Sequence, residues 1–227
     1  MKIGILQTGL VPENLSEEHG EYPQVFMNFL AGNRFDFETY SVVRGEFPSG
    51  PEAADGWLIT GSRHGAYEDH AWIAPLEDLV RGAFAAGKPV VGICFGHQII
   101  AQALGGTVEK FQGGWAVGPQ VYDLNGAQVT LNAWHQDQVT SPPKGAITVG
   151  SNDFCAHAAL LYPGQAYSVQ PHPEFSDAYT KGLIDTRGPG IVPQNILDDA
   201  DAKIGTPLSQ KALADQFALF FREGRIA

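Results

Sequence analysis

Long hydrophobic runs are missing from this chain. No apolar stretch approaches the roughly 20 residues that span a bilayer, so a membrane-spanning helix is excluded. Cysteine is scarce, with only Cys94 and Cys155 among 227 residues. Two cysteines make no disulfide framework and suit a reducing cytoplasm. Positive charge is in deficit: 14 Lys and Arg stand against 25 Asp and Glu, a net charge of −11. That balance argues against nucleic acid or an anionic membrane as partner. The first residues, Met1-Lys2-Ile3-Gly4-Ile5-Leu6, run straight into a strand-like segment with no signal-peptide pattern. The chain does have 44% hydrophobic and 17% charged residues, a globular composition. Its length suits one large α/β domain or two small ones. It has no linker, repeat or low-complexity stretch, so one domain over residues 1–227 is expected.

Taken in order, residues 2–7 read as a buried strand and residues 8–21 as a polar loop. Residues 22–30 have helical spacing, with Tyr22, Phe26, Phe29 and Leu30 on one face. Residues 35–43 alternate as a strand, 46–54 read as a loop, and 56–60 form a short apolar strand. A Gly-rich polar loop follows directly, Thr60-Gly61-Ser62-Arg63-His64-Gly65. In an open α/β sheet, ligands bind beyond the carboxyl ends of strands. Residues 71–86 are helical, with Ile73, Leu76, Leu79, Val80 and Phe84 as the stripe, and Gly87 ends them. Helices between short apolar strands imply a parallel core flanked by helices. After Gly105-Gly106 the segments 107–111, 115–124, 127–133, 146–150 and 156–162 read as strands with no helix between them. They predict an antiparallel section packed beside the parallel core, the whole an open mixed sheet. A last strand, 167–170, precedes a helical C-terminal segment over about 176–224.

The centre of the chain is Gly92-Ile93-Cys94-Phe95-Gly96-His97-Gln98. A short apolar strand leads in and a helix leads out. Glycines two residues either side of Cys94 match the strand–turn–helix pattern of a nucleophile elbow. Such a turn thrusts its apical side chain out at the carboxyl end of the sheet. It also places the thiol at a helix N-terminus, whose partial positive charge favours thiolate. Taken alone, the pattern also fits a buried structural cysteine.

A cysteine nucleophile needs a base, and the base needs an orienting group. His19, His64 and His70 lie in polar stretches where a solvated histidine is the default. His97 is one turn beyond Cys94 with nothing to orient it, and His157 reads as structural in a strand. His135, in Trp134-His135-Gln136-Asp137, is a second candidate. His172, in Pro171-His172-Pro173-Glu174, is the first. Proline after His172 favours extended backbone, and residues two apart in an extended segment point the same way. Glu174 can therefore hold one nitrogen of the His172 ring and leave the other for the thiol.

These residues resemble the class I glutamine amidotransferases, a family marked by G-x-C-x-G-x-Q and a later H-P-E. The resemblance runs over roughly residues 40–175 and implies a flavodoxin-like fold. It implies that Cys94 attacks the γ-carboxamide of glutamine or of a γ-glutamyl amide. His172 then serves as base and acid, and Glu174 orients it. Backbone N–H groups of Gly61, Ser62 and Phe95 form the oxyanion hole. Gln98, Gly114, Trp115 and His135 line the glutamyl pocket, with Trp134-His135-Gln136-Asp137 similar to the S-H-G-D of members that make GMP. The mechanism calls for no metal or cofactor. Its small-molecule partner is glutamine or a γ-glutamyl compound.

There are departures. Gly61-Ser62-Arg63 replaces a common Gly-Gly-Pro, and Pro171 stands where Phe is common. No nucleotide-binding P-loop and no synthetase segment follow Glu174. The helical tail is similar in outline to stand-alone relatives such as plant γ-glutamyl peptidases. A separate synthetase remains a possible partner, and the Arg63-His64 loop could close a pocket or bind it. An α/β-hydrolase reading fits less well, because its acid precedes the histidine. A DJ-1-like reading expects histidine where Phe95 stands. A non-catalytic glutamine-binding module predicts a lost Cys, His or Glu.

Overall fold

The computed structural model describes residues 1–227. Eleven strands and seven α-helices alternate along the first half and then separate. The parallel part comprises β1 (Lys2–Leu6), β2 (Asp36–Tyr40), β3 (Gly56–Ile59), β4 (Val90–Ile93) and β11 (Ala166–Val169). They pair in parallel in the order β2-β1-β3-β4-β11. All of β3, β4 and β11 is buried, as expected of parallel strands covered on both faces.

The two faces are sorted by side-chain alternation. Trp57, Ile59 and Val90 join one apolar cluster with Leu76, Phe95 and Ile99. The helices on that face are α3 (Ile73–Ala85) and α4 (Phe95–Ala103). Leu58, Val91, Ile93 and Val169 join the other cluster with Phe26, Phe217 and Phe221. That face carries α2 (Tyr22–Phe29) and α7 (Gln210–Glu223).

The antiparallel section continues the parallel core, and together they make one open mixed sheet. β6 (Ala116–Leu124), β7 (Ala127–His135), β9 (Ile147–Ser151) and β10 (Ala159–Tyr162) extend the same nine-stranded sheet in the order β11-β10-β9-β6-β7. The joint is the antiparallel pairing of β10 with β11. Only β5 (Thr107–Lys110) and β8 (Asp137–Ser141) form a separate ribbon. No helix is long and apolar enough to cross a membrane.

Two expectations are corrected. The loop expected over 8–21 contains a helix, α1 (Glu13–His19). Its single buried residue, Leu15, packs with Val11, Phe175, Tyr179 and Leu183. One apolar residue in two turns leaves no periodic signal to read. The strand expected from residue 156 starts instead at Ala159, beside a bulge in its pairing with β9. His157 thus lies before the strand, with its Nδ1 2.8 Å from Thr148 Oγ1. The C-terminal segment is helical as read, with α5 (Asp177–Thr186), α6 (Gln194–Ala202) and α7.

Candidate active site

β4 ends at Ile93 and α4 begins at Phe95, so Cys94 alone makes the turn. Its φ is +53° and its ψ −103°, a conformation that costs a non-glycine residue of order 1–3 kcal/mol. The flanking glycines let the elements close on each other. A Cβ on Gly92 would lie 2.5 Å from Gly96 O, and one on Gly96 would lie 2.3 Å from Ile59 O. Any side chain at either position would push α4 off the sheet.

The Pro171–Glu174 segment arrives from the neighbouring strand, β11. Its backbone is pinned by Asn132, whose carbonyl accepts from His172 N–H at 2.8 Å and whose side chain donates to Phe175 O at 3.0 Å. Gln210, at the start of α7, donates to Pro173 O and Phe175 O at 2.8 and 3.0 Å. The His172 ring stacks on Phe175, centroids 4.0 Å apart and planes 6° apart. Its Nδ1 lies 2.7 Å from Glu174 Oε1, and both side chains are buried. Burial alone would discourage a charged imidazole; the Glu174 carboxylate and then Cys94 outweigh it and raise the His172 pKa. Cys94 and His172 line the same cavity, and a Cβ on Gly61 would touch both. The sequence-predicted trio is therefore assembled in one place.

The Gly61-Ser62 turn comes up beside it. A Cβ on Gly61 would sit 3.0 Å from His172 Cε1 and 3.8 Å from Cys94 Cβ, so only glycine leaves room there. Two buried threonines hold this turn. Thr8 Oγ1 and Thr60 Oγ1 each lie 3.1 Å from Gly61 O, and Thr8 N–H donates to Thr60 Oγ1. With the Gly61 carbonyl turned toward the hydroxyls, the trans peptide turns Ser62 N–H the opposite way. Phe95 N–H is at the first position of α4 and has no acceptor within the helix.

Cys94 stands where two cavities meet. One, of about 310 Å³, is lined by Gln98, Trp115, His135 and Asp137. The other, of about 340 Å³, is lined by Val11, Tyr22, Trp134, His172 and Phe175. Arg63 and Arg187 border both. A third cavity, about 510 Å³, is lined in part by Glu174 and does not reach Cys94.

Gln98 spends both amide hydrogens, on Asp137 O at 2.9 Å and Gln170 Oε1 at 3.1 Å, which leaves its Oε1 to accept from a ligand. His135 is buried, and burial lowers its pKa to about 3; it is a poor proton acceptor at neutral pH. Gly114 lines neither cavity; at φ +93° it supplies the left-handed turn before Trp115. His97 has an orienting partner after all, Ser168 Oγ at 2.9 Å from its Nδ1. That bond fixes His97 between α4 and β11, and burial lowers its pKa to about 3. Asn132, Gln210 and Thr8 left no mark in the sequence, since each acts on a segment distant in the chain.

The family model "Glutamine amidotransferase class-I" matches residues 51–183. Gamma-glutamyl peptidase 4 of Arabidopsis thaliana is 30% identical over 207 residues, covering 84% of this chain and 82% of that protein. The GMP synthase [glutamine-hydrolyzing] of Thermus thermophilus is 42% identical over 129 residues, 53% of this chain and 24% of that protein. A crystal structure of a glutamine amidotransferase from Methylobacillus flagellatus has the same fold, with a TM-score of 0.74 at 22% identity, over 100% of this chain and 96% of that one. This chain belongs to the class I glutamine amidotransferase family.

Proposed function

We propose that the protein hydrolyses γ-glutamyl amides through a γ-glutamyl thioester on Cys94. Cys94 Sγ attacks the γ-carbonyl carbon while its proton passes to His172 Nε2, the nitrogen that Glu174 leaves free. The oxyanion is held by backbone N–H groups of Phe95 and the Gly61-Ser62 turn. The tetrahedral adduct expels the amine, which takes the proton from His172. Water then attacks the thioester and gives a proton to His172. Glutamate leaves, and the proton returns to Cys94. Gln98, Trp115 and His135 serve the glutamyl group in the 310 Å³ cavity.

The observation that carries the reading is the second cavity. Ammonia, the leaving group of glutamine, is about the size of a water molecule, yet a further cavity of 340 Å³ reaches Cys94. A peptidic or other substantial amine would occupy it. The name of the Arabidopsis relative points the same way. The match to a GMP synthase favours a second reading, delivery of ammonia to a separate synthetase. The test uses the purified chain alone, with glutamine and γ-glutamyl peptides supplied separately. Turnover of γ-glutamyl peptides above that of glutamine supports the reading. Near-zero turnover on both, restored only by a co-purifying synthetase, would overturn it and establish the ammonia donor.

A further inference from the structure

The loop between β3 and α3 holds a second group of chemistry-bearing side chains that the proposed mechanism does not use. His64 Nδ1 and His70 Nε2 both meet Glu68 Oε2, at 3.3 and 2.7 Å. One ligand atom from each of the three residues lies within 4.8 Å of the other two. Spaced as H-x3-E-x-H, these histidines read from sequence as solvated. The fold instead holds them in place. Their rings are 4.2 Å apart, and His70 stacks on Trp72 at 5.9 Å with planes 8° apart. His64 packs edge-on against the same indole at 6.0 Å. Trp72 is buried and in turn packs on Phe95 at 5.4 Å. Backbone bonds from Glu68 N–H to Gly65 O and from Ile73 N–H to His70 O fix the turn that places the carboxylate between the rings.

We propose that His64, Glu68 and His70 bind one first-row divalent transition-metal cation, with Zn²⁺ as the best-matched ion. Two imidazole nitrogens and one carboxylate oxygen suit Zn²⁺ and its neighbours, whereas Mg²⁺ and Ca²⁺ take oxygen sets. Tetrahedral bonds of about 2.0–2.1 Å place donor atoms roughly 3.3 Å apart. The present separations from Glu68 Oε2 are 2.7 and 3.3 Å, and all three donor atoms lie within 4.8 Å of one another, so side-chain shifts of about an ångström close the set. The ion takes the place of the imidazole hydrogens that Glu68 accepts, and each ring stays neutral with its proton on the other nitrogen. The three side chains are partly exposed, at 21%, 43% and 35% for His64, Glu68 and His70, which gives the ion a path of entry. Three protein ligands leave a fourth position for water.

The consequence is mechanical. His64 N–H donates to Ser62 Oγ at 3.1 Å, and Trp72 ties the cluster to the first residue of α4. A bound ion pins the rim of both cavities and the turn carrying Ser62 N–H.

The test uses full-length Cys94→Ser protein, which removes the site thiol as a competing ligand, stripped with a chelator. Equilibrium dialysis against micromolar Zn²⁺ should show one ion per chain. Glu68→Gln, which keeps side-chain shape, and His70→Ala should each weaken binding by about tenfold or more. Co²⁺ should give visible d–d bands that His70→Ala abolishes. No retained Zn²⁺, or retention unchanged in both variants, would overturn the proposal. Mg²⁺ held as tightly as Zn²⁺ would overturn the choice of ion.

Discussion

The chain's two thiols lie in the same apolar cluster, and both are buried. They differ in what the backbone does with them. Cys155 sits between β9 and β10, where its N–H and that of Phe154 are tied to Asn152 Oδ1 at 2.7 and 3.1 Å. Burial pushes its thiol pKa up to about 12, and it lines neither of the cavities that meet at Cys94. Cys94 is instead forced to positive φ at the start of a helix, beside a buried imidazole. Equal burial thus accompanies opposite surroundings. What separates a structural thiol from a candidate nucleophile here is the turn it occupies and the group beside it.

The largest effect expected is on the thiols themselves. Cys94→Ala should lower γ-glutamyl hydrolysis by at least on the order of 10⁴-fold, as loss of a nucleophile does. Cys155→Ala should retain activity, and iodoacetamide should label Cys94 alone in the folded chain. An active Cys94→Ala protein would erase the comparison.

Next comes the neighbour that Cys155 lacks. His172→Ala should cost on the order of 10²–10⁴ in rate, and under the proposed mechanism, in which Glu174 orients the ring, Glu174→Gln should cost less. The pair also predicts a pH dependence. The folded pKa of His172 is raised above its ordinary 6.5. The stability it contributes is therefore fully present below about pH 6.5 and is lost as pH rises through the folded value. Glu174→Gln removes the largest raising influence, so the NMR titration midpoint of His172 should move down. An unmoved midpoint would mean that Glu174 does not hold the imidazolium.

What the sequence made legible follows the range of the interaction. β3 and β4 are continuous apolar runs, and a run announces a strand buried on both faces. The Cys94 turn and the His172–Glu174 pair are set by spacings of two residues, which can be read directly. Asn132 and Gln210 hold the His172 segment from β7 and α7, and no local pattern reports a bond across that distance. The His64, Glu68 and His70 cluster looked solvated for the same reason, since the Trp72 stacking depends on how the loop closes. Which strands join the parallel core to its antiparallel extension, β11 to β10, has no local signal either, because strand order is a property of the whole chain.

The smallest effect is the sharpest test of the comparison, since it concerns the polar side chains that fix each thiol's loop. Thr8 Oγ1 lies 2.9 Å from Thr60 O and 3.1 Å from Gly61 O and so helps hold the turn beside Cys94, and Asn152 holds the two N–H groups around Cys155. Thr8→Val and Asn152→Ala each remove a side-chain group from buried or half-buried backbone partners. Each should cost about 1 kcal/mol of stability, read as similar small drops in Tm. Their kinetic consequences should diverge. Thr8→Val leaves Thr60 Oγ1 on the Gly61 carbonyl, so the turn survives but is held less firmly. Ser62 N–H is then less well aimed at an oxyanion on Cys94. A loss of about 1 kcal/mol of transition-state stabilisation is roughly a fivefold fall in kcat, with KM little changed because the ground state barely uses that donor. Asn152→Ala should leave kcat alone. If both variants lowered kcat equally, the order of the Gly61 turn would have no special place in the chemistry, and general loosening of the sheet end would account for both.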